Sequence, residues 1–186
     1  MPTSLADTYP RLVGDIGGTN ARFAIQASRG KPISEPLALP SSDFAGPAEA
    51  IQHFLELTGL PHPRWAGLAI ATPISGDMLT MTNSGWKFSI KAVRDKLGLT
   101  HLRMLNDFTA LALALPKLEP GDLAQIGTGK AEAGKAIGLL GPGTGLGVSG
   151  LVHCAQGYSA IEGEGGHMTL PAFNAREAEL IALARK

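Results

Sequence analysis

Asp15, Ile16, Gly17, Gly18, Thr19 and Asn20 directly follow a short apolar run, an arrangement suited to holding phosphate. Glycines between two strands can adopt positive φ and let a ligand come close to the main chain. Successive N–H groups in such a turn form a concave nest for phosphate oxygens, and Thr19 adds a hydroxyl donor. A carboxylate beside phosphates is repelled unless a cation lies between them, so Asp15 suits Mg²⁺, directly or through water. The plainer reading is a glycine hairpin with a solvated aspartate. Gly141-Pro142-Gly143-Thr144-Gly145-Leu146-Gly147 repeats the pattern between two further apolar runs. One glycine loop says little. Two, each flanked by strands and each carrying a threonine, can grip a polyphosphate from both sides.

A second group of residues has the chemistry to handle an alcohol. Asn106-Asp107 stands where an apolar strand meets a helix, the position at which open α/β sheets place ligands. An ionised Asp107 can accept a proton from a hydroxyl while the Asn106 amide holds a neighbouring one. The competing role is capping, because Asp is a favoured helix N-cap, and on position alone capping is the stronger expectation for Asp107. Gly163-Glu164-Gly165-Gly166-His167 adds an acceptor and a donor or acceptor for sugar hydroxyls. Taken alone it is a glycine-rich turn, and no third residue nearby completes a metal site. Gly129–Ala136 nearly spells a phosphate-binding P-loop. It ends in Ala136 where a Ser or Thr must reach Mg²⁺, and a strand follows where a helix is required, so it reads as a basic surface loop. Neither glycine cluster has the spacing of a dinucleotide fingerprint.

These residues need elements to position them. Leu12–Ile16 and Arg22–Gln26 read as a hairpin, with a third strand over Lys31–Leu39. Ile51, Phe54 and Leu55 share a helical face, predicting a helix over Pro47–Leu57. Gly67–Thr72, Asp77–Thr82 and Leu102–Leu105 read as strands. Ser89 caps a helix stopped by Gly98, and Phe108–Leu115 is a helix closed by Pro116. Ala136–Leu140 and Val148–His153 repeat the strand, glycine turn, strand order of the first hairpin, as in a duplicated half-fold. Asn174 and Glu177 form a capping box for a last short helix. The turn-rich stretch from Glu119 separates an expected small α/β domain, residues 1–116, from the start of a larger one, residues 117–186.

Composition restricts the function. The 186 residues are 44% hydrophobic and only 17% charged, which suits a buried α/β sheet. The net charge is zero and no basic run occurs, so neither nucleic acid nor an anionic membrane is an expected partner. Apolar stretches fall well short of the roughly 20 residues of a membrane span. A secretory signal is not apparent, and the lone Cys154 excludes an internal disulfide, so the expected compartment is the cytoplasm.

Jointly, and in this order, Leu12–Arg22, Ala71–Asp77, Met81–Trp86, Asn106–Ala110, Gly141–Gly147 and Gly163–His167 resemble bacterial glucokinases, within the hexokinase, sugar kinase and actin-like superfamily. The resemblance implies an actin-like ATPase (ribonuclease H-like) α/β fold, a mixed sheet with flanking helices, its second domain incomplete. It implies that Gly14, Asp15, Ile16, Gly17, Gly18, Thr19 and Asn20 serve ATP, with Gly143, Thr144, Gly145 and Gly147 as the second phosphate loop. Asn83, Asn106, Asp107, Glu164 and His167 would contact glucose, with Asp107 as the base facing the 6-hydroxyl and Mg²⁺ held near Asp15. A cysteine-rich zinc motif, the mark of a neighbouring repressor-and-kinase family, cannot be built from Cys154 alone. Family members continue beyond the length seen here, with a further glucose-contacting Glu, an adenosine-binding glycine motif and a C-terminal helix.

The activity so implied is ATP-dependent phosphorylation of glucose, with a homodimer as an open assembly state. Two other readings stand beside it. One is a truncated, inactive sugar-binding remnant of such a kinase. The other is a filament-forming actin-like ATPase, which predicts no glucose binding.

Overall fold

The computed structural model describes residues 8–81, 84–142, 145–155, 157–163, 165–169 and 171–185. Its contacts divide the chain into two units, one ending at Ala124 and the other beginning at Gln125.

The first unit is built on a five-stranded mixed sheet in the order β3 (Leu37–Pro40), β2 (Asn20–Gln26), β1 (Arg11–Ile16), β4 (Trp65–Ile70) and β7 (His101–Asn106). Strands β1 (Arg11–Ile16) and β2 (Asn20–Gln26) form the expected hairpin, with Ile16 opposite Ala21 and Arg11 opposite Gln26. β4 (Trp65–Ile70) lies parallel to β1, and β7 (His101–Asn106) parallel to β4. Alternation along these strands turns Leu12, Ile16, Phe23, Ile25, Leu68 and Ile70 into one core. That core is shared with Ile51 and Phe54 of helix α1 (Pro47–Thr58) and Val93 of α2 (Ile90–Lys96). Phe23 and Phe54 meet with ring centroids 5.8 Å apart.

The third strand is shorter than expected. β3 covers only Leu37–Pro40, paired with Asn20–Phe23. Pro32 and Pro36 lack the N–H that a ladder needs, so the segment before β3 meets β2 mainly through Ser34. The Ser34 N–H donates to Ile25 O at 2.9 Å, and its hydroxyl accepts from Ile25 N at 3.0 Å.

Strand β5 is likewise trimmed to Met78–Thr80, opposite β6 (Lys87–Ser89). Asp77, expected in that strand, serves the start of α2 instead. Its carboxylate accepts from the Ser89 hydroxyl at 2.5 Å and from Lys91 N at 2.8 Å. These bonds, the Ser89 contact foremost, hold its carboxyl below the ordinary range. Ser89 caps α2 as anticipated, accepting from Ala92 N, and Gly98 follows the helix with φ +60°.

The second unit carries an antiparallel sheet, β10-β9-β8, of β8 (Ile137–Pro142), β9 (Leu146–Cys154) and β10 (Gly157–Ile161). Helix α4 spans Ala175–Ala184. Asn174 accepts from Glu177 N at 2.9 Å, but Glu177 completes the cap from Phe173 N and the Asn174 side-chain amide rather than from the Asn174 N–H. Residues 127–136 carry no helix and lie exposed, the surface loop expected of the incomplete P-loop. Among the described residues, no helix is long and apolar enough to cross a membrane.

Candidate functional site

The parallel ladder sets the geometry of the first unit. Ile16 pairs with Ile70, and Ile70 with Asn106, so β1, β4 and β7 end in one row. The chain leaves β1 into Gly17–Thr19 and leaves β7 into Asp107, both at the carboxyl edge of the sheet. At about 4.8 Å per strand, two strand spacings separate them by roughly 10 Å. Ala71 N extends the ladder to the very edge, donating to Ile16 O at 3.0 Å.

Within the turn, Gly17 N donates to Asn20 O at 2.9 Å, closing the hairpin. The N–H groups of Gly18 and Thr19 have no partner among the described residues. Two adjacent free donors at the end of a strand are what an anion-binding nest requires. The expected positive φ is not found at Gly17. Glycine is favoured there by space, since a Cβ would lie 3.3 Å from Asn20 O. Gly14, three residues earlier in β1, is required by packing. A Cβ on it would stand 2.8 Å from both Leu68 Cδ2 and Phe23 Cδ1 and 3.1 Å from Arg22 O. Leu68 and Phe23 are both buried and have little room to yield. Gly14→Ala is therefore expected to destabilise the fold by about 1–3 kcal/mol, measured by denaturant unfolding.

Asp15 lies on the more exposed face of β1, with an Arg22 guanidinium nitrogen 3.4 Å from Oδ2. Both side chains are more than half exposed, so this pair leaves the carboxylate accessible to a cation. Among the described residues no cluster of three or more His, Cys, Asp or Glu forms a metal cage. A divalent ion at Asp15 would take most of its oxygens from a bound polyphosphate and water, the usual manner for Mg²⁺.

At the end of β7 the expected division of labour is reversed. Asn106, not Asp107, is the N-cap of α3 (Asp107–Ala114), its Oδ1 accepting from Phe108 N at 3.0 Å and Thr109 N at 3.2 Å. The Asn106 side-chain amide donates to Asp107 Oδ1 at 2.9 Å, and Phe108 N reaches the same oxygen at 2.9 Å. Asp107 Oδ2 is left without a partner among the described residues. The reason is positional. Asn106 keeps extended φ and ψ of −56° and 146°, as an N-cap must, and Asp107 already lies within the helix. One carboxylate oxygen is thus pinned by two donors, and the other is free to accept a third.

In the second unit, Gly145 and Gly147 belong to the turn and start of the β8–β9 hairpin, where Pro142 pairs with Leu146 and Gly141 with Gly147. His167 ends a 3₁₀ turn, Gly165–His167, that lies against this hairpin. A Cβ on Gly165 would fall 2.8 Å from Val148 Cγ1, and one on Gly166 only 1.7 Å from Leu146 O. The structure therefore brings His167 beside the second glycine turn. Asn83, Gly143, Thr144 and Glu164 lie outside the described residues.

One residue of the site escaped the sequence reading. Ser41, fully buried, donates from N to Thr19 O at 2.9 Å and from Oγ to Gly17 O at 3.3 Å. It starts a 3₁₀ turn, Ser41–Asp43, directly after β3. A serine closing a strand carries a weak turn signal, but its partners lie more than twenty residues away, where no local pattern reaches.

Several known proteins resemble this chain. The glucokinase family model matches residues 12–186. The glucokinase of Aromatoleum aromaticum is 56% identical over 184 residues, covering 98% of this chain and 56% of that protein. That of Chromobacterium violaceum is 46% identical over 177 residues, covering 95% of this chain and 51% of its own length. The crystal structure of a glucokinase from an Antarctic psychrotroph superposes with a TM-score of 0.84 at 36% identity, over 95% of this chain and 56% of that one. The chain spans about half the length of the curated relatives it matches. The likeness to solved glucokinases makes the architecture the actin-like ATPase fold expected above. With the match running unbroken from β1 through α4, this chain belongs to the glucokinase family.

Proposed function

We propose that the protein catalyses ATP-dependent phosphorylation of glucose at its 6-hydroxyl. The observation that carries this reading is the state of Asp107, held through Oδ1 by Asn106 and Phe108 while Oδ2 stays open. It stands at the same sheet edge as the free N–H groups of Gly18 and Thr19. A carboxylate fixed through one oxygen presents the other as an acceptor of defined direction, as a general base needs.

In this reading the turn Gly14–Asn20 receives phosphate oxygens through its main chain, and Gly143, Thr144, Gly145 and Gly147 form a second phosphate loop. Asn106, Glu164, His167 and Asn83 bind and orient the sugar hydroxyls. Asp107 Oδ2 accepts the proton of the 6-hydroxyl as that oxygen bonds to the γ-phosphorus. The bond from the γ-phosphorus to the bridging oxygen breaks, and ADP carries the electron pair away. Mg²⁺, when bound near Asp15, supplies positive charge to the phosphate oxygens. Phosphoryl transfer is usually loose, so positioning contributes more than basicity.

The test is a coupled assay for glucose 6-phosphate with the whole gene product, together with calorimetric titrations of glucose and of Mg·ATP. Turnover that requires both ligands is expected. Glucose binding without nucleotide binding would instead identify a sugar-binding remnant. Nucleotide binding with no response to glucose would identify an ATPase of another kind.

A further inference from the structure

We propose that Ser41 is a positioning residue for the nucleotide, acting through the glycine turn to which it is hydrogen-bonded. The inference rests on the reading above, in which the Gly14–Asn20 segment receives phosphate.

In a trans peptide the C=O of one residue and the N–H of the next point in opposite directions from one rigid plane. The Ser41 hydroxyl donates to Gly17 O, and the plane carrying Gly17 O also carries Gly18 N–H. Drawing the carbonyl towards Ser41 turns that N–H the other way. The same hydrogen bond polarises the peptide and strengthens its N–H as a donor. Gly18 N–H is one of the two turn donors without a partner among the described residues.

Two features make this more than incidental packing. Ser41 is fully buried, so its hydroxyl has no water to compete with and its direction is set by the protein. Its second bond, from N to Thr19 O at 2.9 Å, is a main-chain bond that anchors the far side of the turn. Substituting the side chain removes the first bond and spares the second. The hydroxyl is therefore separable from the strand pairing of β2 and β3.

Gly17 itself has almost no means of choosing this orientation. It has no side chain, and it does not occupy the left-handed region where a glycine turn would be fixed by its φ. Its peptide needs an external hold, and Ser41 supplies it.

The experiment is steady-state kinetics on the whole gene product with Ser41→Ala and Ser41→Thr. Loss of one hydrogen bond from the nest is expected to raise KM for Mg·ATP about fivefold, leaving kcat and KM for glucose within about twofold. Ser41→Thr keeps the hydroxyl and is expected to restore KM for Mg·ATP to near the parent value. An unchanged KM for Mg·ATP in Ser41→Ala, with only a lower melting temperature, would show a purely structural role and overturn the proposal. Should Ser41→Ala fail to fold, Ser41→Cys, whose thiol is a weak donor of similar size, is measured in its place against the same criterion. A parent protein that does not phosphorylate glucose removes the underlying reading, whereas an active parent with an indifferent Ser41 removes this inference alone.

Discussion

Asp107→Asn is expected to lower kcat by at least about a hundredfold while leaving KM for glucose within several-fold of the parent. The substitution suits the question because of how Asp107 is held. Its Oδ1 accepts from the Asn106 amide and from Phe108 N, each at 2.9 Å. An asparagine can place its carbonyl oxygen at that position and satisfy both donors. Its NH₂ group then falls where Oδ2 was, and it cannot accept a proton. Shape and local bonding survive while basicity is lost. Capping survives too, because Asn106 performs it. Removing the negative charge from the first turn of α3 costs only about 0.3–1 kcal/mol of helix stabilisation. A small shift in melting temperature with a large loss of turnover is the expected pair of results. Turnover within a few-fold of the parent would remove Asp107 from the role of base.

The second large effect is expected at Gly166. An added Cβ would lie 1.7 Å from Leu146 O and 2.8 Å from Leu146 C, both main-chain atoms that no rotamer change can move. Either the Gly165–His167 turn shifts or the start of β9 does. Both belong to the candidate site, one through His167 and the other through the glycine turn before Leu146. A displacement near 1 Å in a reacting arrangement can cost on the order of a hundredfold in rate. Gly166→Ala is therefore expected to reduce kcat/KM for glucose by about that factor, with loss of stability accompanying it. Gly129→Ala is the control, since a Cβ there meets nothing within 4 Å. Equal behaviour of the two variants in kinetics would show that the close contact at Gly166 has no bearing on the site.

The elements of this fold were legible where local chemistry and position agreed. The hairpin around Gly17 and Gly18 announces itself through alternating apolar residues and turn glycines, and the structure forms it. The second hairpin, around Gly145, follows the same logic. Asn106-Asp107 was placed at the right junction because an apolar strand and an apolar helix flank it. Which of the pair caps α3 was not legible, since both residue types are good N-caps and the choice depends on where helical φ and ψ begin. The third strand, expected over Lys31–Leu39, is confined to Leu37–Pro40, because Pro32 and Pro36 lack the donors a ladder needs. Ser41 was invisible for a different reason. Its partners arrive through the fold of β3 beside β2, and periodicity carries no information about such a meeting.

The row formed by Ile16, Ile70 and Asn106 has a consequence for how this protein can vary. The Gly17–Thr19 turn and the Asp107 carboxylate are aligned by main-chain ladders, which are indifferent to the side chains projecting between them. Replacements along the central strands can accumulate without disturbing the alignment, provided volume is respected. A single inserted or deleted residue in β4 is another matter. It would slide one neighbour past the other by a full rise of about 3.3 Å and turn every following side chain to the opposite face. Drift in this lineage should thus be generous in letters and strict in spacing.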